Sequence, residues 1–317
     1  MNIFKYSFDD LTKERIEEIK PYFGGCDGRG TSCTFLANYA WRDNYDLSYE
    51  FIGKYLCLSG CVKDDPDAKP IMLMPLTKDG RYDKGELKGT ILAAKKRFEE
   101  KNVKFFLVSL SEPLKTLMEE LFPGQLHFHH DEDFDEYVYE KEKLITLSGR
   151  ALHKKKNHLN YFLKNYKYFY TKILPNMVDE IMEFVVQCRV DKGENDENLE
   201  SLHMEEDAIR RYIEHTDEDD IYSGAIYIEG QLQAIALGER LSGDTAAAHY
   251  EKANGAIRGL YQAICSEFCK SLPEEIVYVN REEDMGIENL RKAKEALRPH
   301  HKEVKYSCCF LSSDTVE

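Results

Sequence analysis

The feature that most constrains this chain is an order of elements that occurs twice. In the first half, the spacing of apolar residues predicts helices over 9–20 and 35–46, then short strands near 49–52, 55–61 and 70–75. A helix over 84–101, a strand over 103–110, a helix over 112–121 and a strand over 126–129 follow. The second half begins with an aromatic-rich strand over 168–173 and helices over 177–190 and 204–215. Strands over 221–228, 231–240 and 245–252 come next, joined by the hairpin signals Glu229-Gly230 and Ser242-Gly243-Asp244. A helix over 257–270, a strand over 275–280, a helix over 287–297 and a strand over 303–310 complete it. Two helices, three meander strands, helix, strand, helix and strand thus recur without evident repetition of sequence.

That order is the order of the GNAT acyltransferase fold, duplicated. The expected class is α+β, with two tandem GNAT-like (acyl-CoA N-acyltransferase-like) domains, each a mixed, mostly antiparallel sheet flanked by helices. The expected boundaries are an N-terminal domain over 1–135, a basic connecting segment and helix over 136–166, and a C-terminal domain over 167–317. A length of 317 residues lets two ordinary domains each close a core. No apolar run approaches the roughly 20 residues that span a bilayer, and Met1 to Tyr6 lack the apolar stretch of a signal peptide. The nine cysteines are odd in number, irregularly spaced and in no C-x-x-C frame, which suits buried thiols in a reducing cytoplasm. His127, His129 and His130 have no second ligand cluster, so no metal is expected.

Charge is distributed unevenly. Against 43 Lys and Arg stand 58 Asp and Glu, a net −15 that excludes a polyanion-binding surface over the whole molecule. The segment Asp131-Glu132-Asp133-Phe134-Asp135-Glu136 is sharply acidic. From 143 to 178 the sign inverts, with eight basic residues and no acidic one. Residues 191–220, with thirteen acidic and three basic residues, read as a solvated loop and helix. The basic span suits an anionic ligand. Its alternative is a solvated helix face paired with the acidic segment.

Around this joint the chain resembles a known family. Asp135-Glu136-Tyr137-Val138-Tyr139, then Leu144 to Arg150, then Lys154-Lys155-Lys156-Asn157-His158-Leu159-Asn160-Tyr161-Phe162 are similar to the catalytic C-terminal domain of phosphatidylglycerol lysyltransferases. The likeness is strongest to the soluble proteins that share this domain. Tyr250-Glu251-Lys252-Ala253-Asn254, Val279-Asn280-Arg281-Glu282-Glu283-Asp284-Met285-Gly286 and Leu290 to Lys294 with Pro299 extend it, so that it covers about Phe4 to Phe310. The resemblance implies two GNAT-like domains and transfer of an aminoacyl group from aminoacyl-tRNA to a lipid headgroup. The chain departs from the lipid-modifying synthases in lacking their membrane-embedded domain and in its Asn280 to Asp284 segment. The fold therefore carries over, and the lipid acceptor does not.

Acyl transfer requires loss of a proton from the acceptor, a stabilised oxyanion, a protonated leaving group and a held donor. Gly255, Arg258 and Gly259 stand between a strand and a helix, where a GNAT fold holds pyrophosphate on backbone amides. The alternative there is an ordinary turn. Glu251, at the end of the preceding strand, is the candidate base or amine anchor, and otherwise a paired surface carboxylate. Tyr250 and Tyr278 are the candidate proton donors to the leaving group, and each is otherwise a core aromatic. Asn280, Arg281 and Asp284 lie at a strand-to-helix crevice of the kind that binds ligands. Arg281 would hold an anion or bridge to Glu251, and Asp284 would bind a ligand or cap the helix near Ile287. Lys154, Lys155, Lys156 and Asn157 would guide an anionic donor. The function expected is a soluble acyltransferase that moves an aminoacyl group from aminoacyl-tRNA to an amine or hydroxyl of a small molecule or lipid headgroup. The alternatives are an acyl-CoA-dependent N-acyltransferase and a non-catalytic, metabolite-binding tandem GNAT-like protein.

Overall fold

A computed structural model describes residues 2–24, 30–63, 65, 67–191 and 199–311. The elements begin with β1 (Tyr6–Ser7), α1 (Lys13–Phe23), α2 (Phe35–Ala40), β2 (Ser48–Ile52), β3 (Tyr55–Gly60) and β4 (Ile71–Leu73). Then come α3 (Lys84–Glu100), β5 (Leu107–Leu110), α4 (Glu112–Leu121), β6 (Leu126–His130), β7 (Glu136–Glu140), α5 (Lys141–Thr146) and α6 (His153–Asn165). They continue with β8 (Tyr168–Thr171), α7 (Val178–Asp191), α8 (Leu199–Glu214), β9 (Ile221–Ile228), β10 (Gln231–Arg240) and β11 (Thr245–Ala253). The last are α9 (Leu260–Ser271), β12 (Tyr278–Asn280), α10 (Glu288–Glu295), β13 (His301–Glu303) and β14 (Tyr306–Phe310).

These form two compact units, one of residues 1–135 with 303–317 and one of residues 136–302. The first holds a seven-stranded sheet ordered β1-β2-β3-β4-β5-β14-β6, and the second a seven-stranded sheet ordered β8-β9-β10-β11-β12-β7-β13. Counted in chain order within each unit, the strands run 1-2-3-4-5-7-6 in the first sheet and 2-3-4-5-6-1-7 in the second, so the two sheets match once β7 stands in the place of β14. The strands in the fourth and fifth places of each sheet pair in parallel, Met72 with Leu107 in one and Thr245 with Tyr278 in the other. The class is the expected one, with two tandem GNAT-like domains.

The boundaries differ from those expected. Residues 136–166 are not a connector, because β7, α5 and α6 are built into the second unit. The strand expected at 303–310 as the end of the second domain instead enters the first sheet, where β14 pairs antiparallel with both β5 and β6. The first sheet therefore takes β14 from the far end of the chain, whereas β7 opens the continuous second unit. Burial accounts for both placements. Cys308 sits at 1% exposure in a core with Phe105, Leu107, Met118 and Leu121. Tyr137 and Tyr139 are fully buried in the core of the second unit with Leu159, Phe162 and Phe268, where each such side chain contributes on the order of 1.5–3 kcal/mol.

In that second core α9 is the central helix. Leu260, Ala263, Ile264, Phe268 and Cys269 are all buried, so it is covered by the sheet on one side and by α5 and α6 on the other. Among the described residues no helix is long and apolar enough to cross a membrane, and no three His, Cys, Asp or Glu side chains are grouped to hold a metal ion.

Candidate active site

In the second unit β11 runs to Ala253 but pairs with β12 only through Thr245, Ala246 and Ala247. Beyond that point the two parallel strands part. On its other edge β11 pairs with β10, and there the register slips: Leu237 faces Tyr250, whereas Gly238 faces Ala248. His249 is thus the extra residue of a β-bulge. A bulge reverses the alternation of side chains along a strand. Ala246 and Ala248 belong to the core under α9, while His249 and Tyr250 both turn to the opposite face and meet Tyr212 of α8. Lys252 also points to that side and pairs with Glu205 of α8 at 2.7 Å. Glu251 is left on the α9 face, at the mouth of the parted strands.

There Arg281, the first residue after β12, donates to Glu251 Oε2. The arginine is 20% and the glutamate 10% exposed. Glu251 Oε1 is buried and receives no hydrogen bond. The Tyr139 ring lies 6.0 Å from the Arg281 guanidinium. Lys155 of α6 is half-buried, and its pKa is lowered by burial and by the nearby Arg281 charge. Glu251 and Arg281, both selected from the sequence, are therefore paired, and Lys155 lies within electrostatic reach of Arg281.

Arg281 is held by its backbone as firmly as by its side chain. Its N–H donates to Tyr137 O at 2.9 Å, and Tyr137 N–H donates to Glu282 O at 3.0 Å, so β7 carries the ladder past the end of β12. Lys294 of α10 reaches into the loop and donates to the carbonyls of Arg281, Glu282 and Glu283. Burial pulls the pKa of that lysine down to about 8, against the pull of Glu282 in the other direction. Asn280 is fully buried, donating to Glu136 at 2.6 Å and accepting from Glu282 N–H at 2.8 Å. Asp284, also fully buried, accepts from Arg291 at 2.7 and 2.9 Å and from the Tyr137 hydroxyl at 2.6 Å. The Arg291 bonds hold its carboxyl well below the usual range. Asp284 does not cap the helix that follows, since its side chain bonds Gly286 N–H and α10 begins at Glu288 with no side-chain cap. Asn280 and Asp284 thus shape the loop.

On the α8 face, His249 lies between Glu239 at 3.0 Å and Glu282 at 2.6 Å, and Tyr212 donates to Glu239 at 2.8 Å. Burial opposes charging of the imidazole, but the two carboxylates outweigh it and push its pKa up to about 10. Tyr250 lies within 5.4 Å of the Tyr212 ring on this face and not beside Glu251. The Tyr278 ring lies 5.1 Å from that of His300, tilted by 47°. His249, Glu239 and Lys294 were missed from the sequence. A lone Glu or His inside an apolar strand is the available signal for the first two, and Lys294 closes the Leu290 to Lys294 stretch that carries the resemblance.

The turn expected to hold phosphates is filled from within. Asn254 accepts from the N–H groups of Ala256 and Ile257, and Ile257 O accepts from Leu260 N–H. Gly259 has φ +87° and faces α6, with His158 O 2.1 Å from where a Cβ would stand. Arg258 covers the Tyr161 ring of the same helix at 4.5 Å. Gly255 faces open space. Lys154, Lys156 and Asn157 are exposed on the first turns of α6, and only Lys155 turns inward.

The chain matches the family described as phosphatidylglycerol lysyltransferase, C-terminal, over residues 27–309. The crystal structure of a conserved protein of unknown function from Bacteroides thetaiotaomicron is 27% identical, with a TM-score of 0.84 over 98% of this chain and 100% of that one. The structure of L-PGS from Bacillus licheniformis is 12% identical, with a TM-score of 0.60 over 92% of this chain and 91% of that one, a likeness of fold alone. A curated protein of Mycoplasmoides gallisepticum, MYCGA3080, is 26% identical over 166 residues, 51% of this chain and 52% of that protein. The match spans about half the length of that relative.

Proposed function

We propose a reaction for a chain that belongs to the phosphatidylglycerol lysyltransferase C-terminal family: transfer of an aminoacyl group from aminoacyl-tRNA to an amine or hydroxyl acceptor. Family and fold support an acyltransferase; the donor and acceptor are the further step. One observation favours aminoacyl-tRNA over acyl-CoA. The turn that would cradle a CoA pyrophosphate spends amides on its own side chain and backbone and is pressed against α6, while the outer face of that helix carries Lys154 and Lys156 in solvent.

In the proposed step the acceptor attacks the ester carbonyl, and the negative charge that develops on its oxygen is met by the Arg281 and Lys155 cations. The bond to the acceptor forms, the bond to the ribose oxygen breaks, and the acceptor's proton ends on that oxygen. A fixed donor at such an oxyanion is worth about 10²–10³ in rate. Lys154, Lys156 and Asn157 would engage the phosphates of the donor, and such contacts weaken steeply with salt.

Filter binding with charged and uncharged tRNA, beside thermal shift with acetyl-CoA, tests the donor. Wild-type protein should bind tRNA in a salt-dependent way, and Lys154→Glu/Lys156→Glu should lose that binding. Tight CoA binding with no tRNA binding would overturn the reading.

A further inference from the structure

The second sheet ends at β8, three strands away from β11. Tyr168 and Tyr170 of that strand turn toward α9, where their hydroxyls meet Glu267 at 2.9 Å and Ser271 at 3.0 Å. Phe169 and Thr171 therefore face the other way. Helix α7 packs on that second face over β10 and β11, and the stretch over β8 and β9 is left open. A groove of about 510 Å³ lies there, lined by Lys167, Phe169 and Thr171 from β8, Tyr227 and Glu229 from the β9 side, and Met177. That volume falls within the roughly 300–1,000 Å³ usual for binding clefts.

Phe169 is 65% exposed, and Leu174, just beyond the strand, 47%. An edge strand of this kind presents outward N–H and C=O groups on every second residue beside an apolar surface, a combination that folded proteins cover or blunt. Lysines flank it. Lys164, Lys167 and Lys172 are all exposed, and among the described residues none of the three is paired with a carboxylate.

These charges decide the occupant. A second copy of the same edge would bring lysine against lysine. A nucleic acid stacked on Phe169 would bring its phosphates to Glu229 and to Glu180, which accepts from the Tyr227 hydroxyl at 2.9 Å. An extended peptide that is apolar on one face and acidic on the other meets neither repulsion. Its backbone pairs with β8, its apolar side chains lie over Phe169, Tyr227 and Met177, and its carboxylates meet the lysines.

We infer that β8 is the docking edge for an extended acidic peptide, which adds a further strand to the second sheet. The groove selects for apolar side chains and the three lysines select for charge. The surface lies on the opposite face of the sheet from Glu251 and Arg281, and it stands independently of the acyl-transfer reading.

Fluorescence anisotropy with a labelled synthetic peptide of alternating glutamate and valine tests this. The peptide should bind the wild-type chain in a salt-sensitive way, and a version with lysine in place of glutamate should bind at least tenfold more weakly. Two other versions carry N-methyl groups on one or the other alternate set of amides. Only one of them should still bind, because a single edge of the peptide pairs with β8. Phe169→Ser, at an exposed position, should weaken binding tenfold or more with an unchanged urea midpoint. Lys167→Glu/Lys172→Glu should reverse the preference between the acidic and basic peptides. Absence of binding by the acidic peptide would overturn the inference, as would equal binding of the two N-methylated versions. Oligothymidylate binding that is lost in Phe169→Ser would assign the groove to nucleic acid, and a wild-type dimer that this substitution dissociates in sedimentation would assign it to a second copy. Either result would also overturn it.

Discussion

The carbonyl oxygen of His158 stands 2.1 Å from the point where Gly259 would carry a Cβ. Helix α6 and the turn before α9 touch backbone to backbone, and they do so because residue 259 has no side chain. The same contact closes the turn against α6, the helix that also carries Lys155.

Gly259→Ala should be costly on two counts, the left-handed φ of +87° and the overlap with α6. Together these cost about 2–4 kcal/mol. Gly255→Ala, with open space around its Cβ, should stay within about 0.5 kcal/mol of wild type. Urea unfolding of both variants measures the difference, and equal midpoints would contradict the α6 contact.

Arg281→Met should leave the Glu251 carboxylate buried with neither oxygen paired. Removal of one member of a buried pair costs about 3–5 kcal/mol, and the partial exposure of Arg281, at 20%, points to the lower end. Adding Glu251→Gln to that variant should restore more than half of the loss. A double variant no more stable than the single one would argue that the pair is not coupled.

His249 has a folded pKa near 10 against an ordinary 6.5. Its contribution to stability is complete below the unfolded value and falls as pH rises toward the folded one. Between pH 6.5 and 8 wild-type stability should carry a downward component approaching about 1.4 kcal/mol per pH unit. His249→Gln should lack that component. Unfolding free energies taken at four pH values decide it, and parallel profiles would remove the buried imidazolium.

Lys294 acts with the opposite sign. Its pKa falls from 10.5 to about 8 on folding, because burial penalises the ammonium. The penalty is complete below pH 8 and relieved as pH rises to 10.5, so stability should gain over that window. In Lys294→Met the gain should disappear. A variant that keeps the same rise would show that another group titrates there.

Much of the fold was legible in one dimension. Alternation and turn residues located β9 at Ile221–Ile228 and β10 at Gln231–Arg240 to the residue, and the 3.6-residue period located α3 to within one. Among the site residues, Glu251 and Arg281 were named and their pairing was weighed. Tyr250, a candidate proton donor in the sequence, is turned by the strand to the face of Tyr212, opposite Glu251.

The sequence by itself determined the kinds of elements, their doubled order and the basic stretch between the two halves, since periodicity and composition are local properties of the chain. Only the tertiary structure decided which sheet receives β7 and which receives β14, because a strand's apolar pattern says that it is buried and not beside whom. Tertiary pairing also inserted the bulge at His249 that turns Glu251 toward Arg281. One unpaired residue in a ladder leaves no mark in the amino-acid pattern, yet it sets the face on which the site is built.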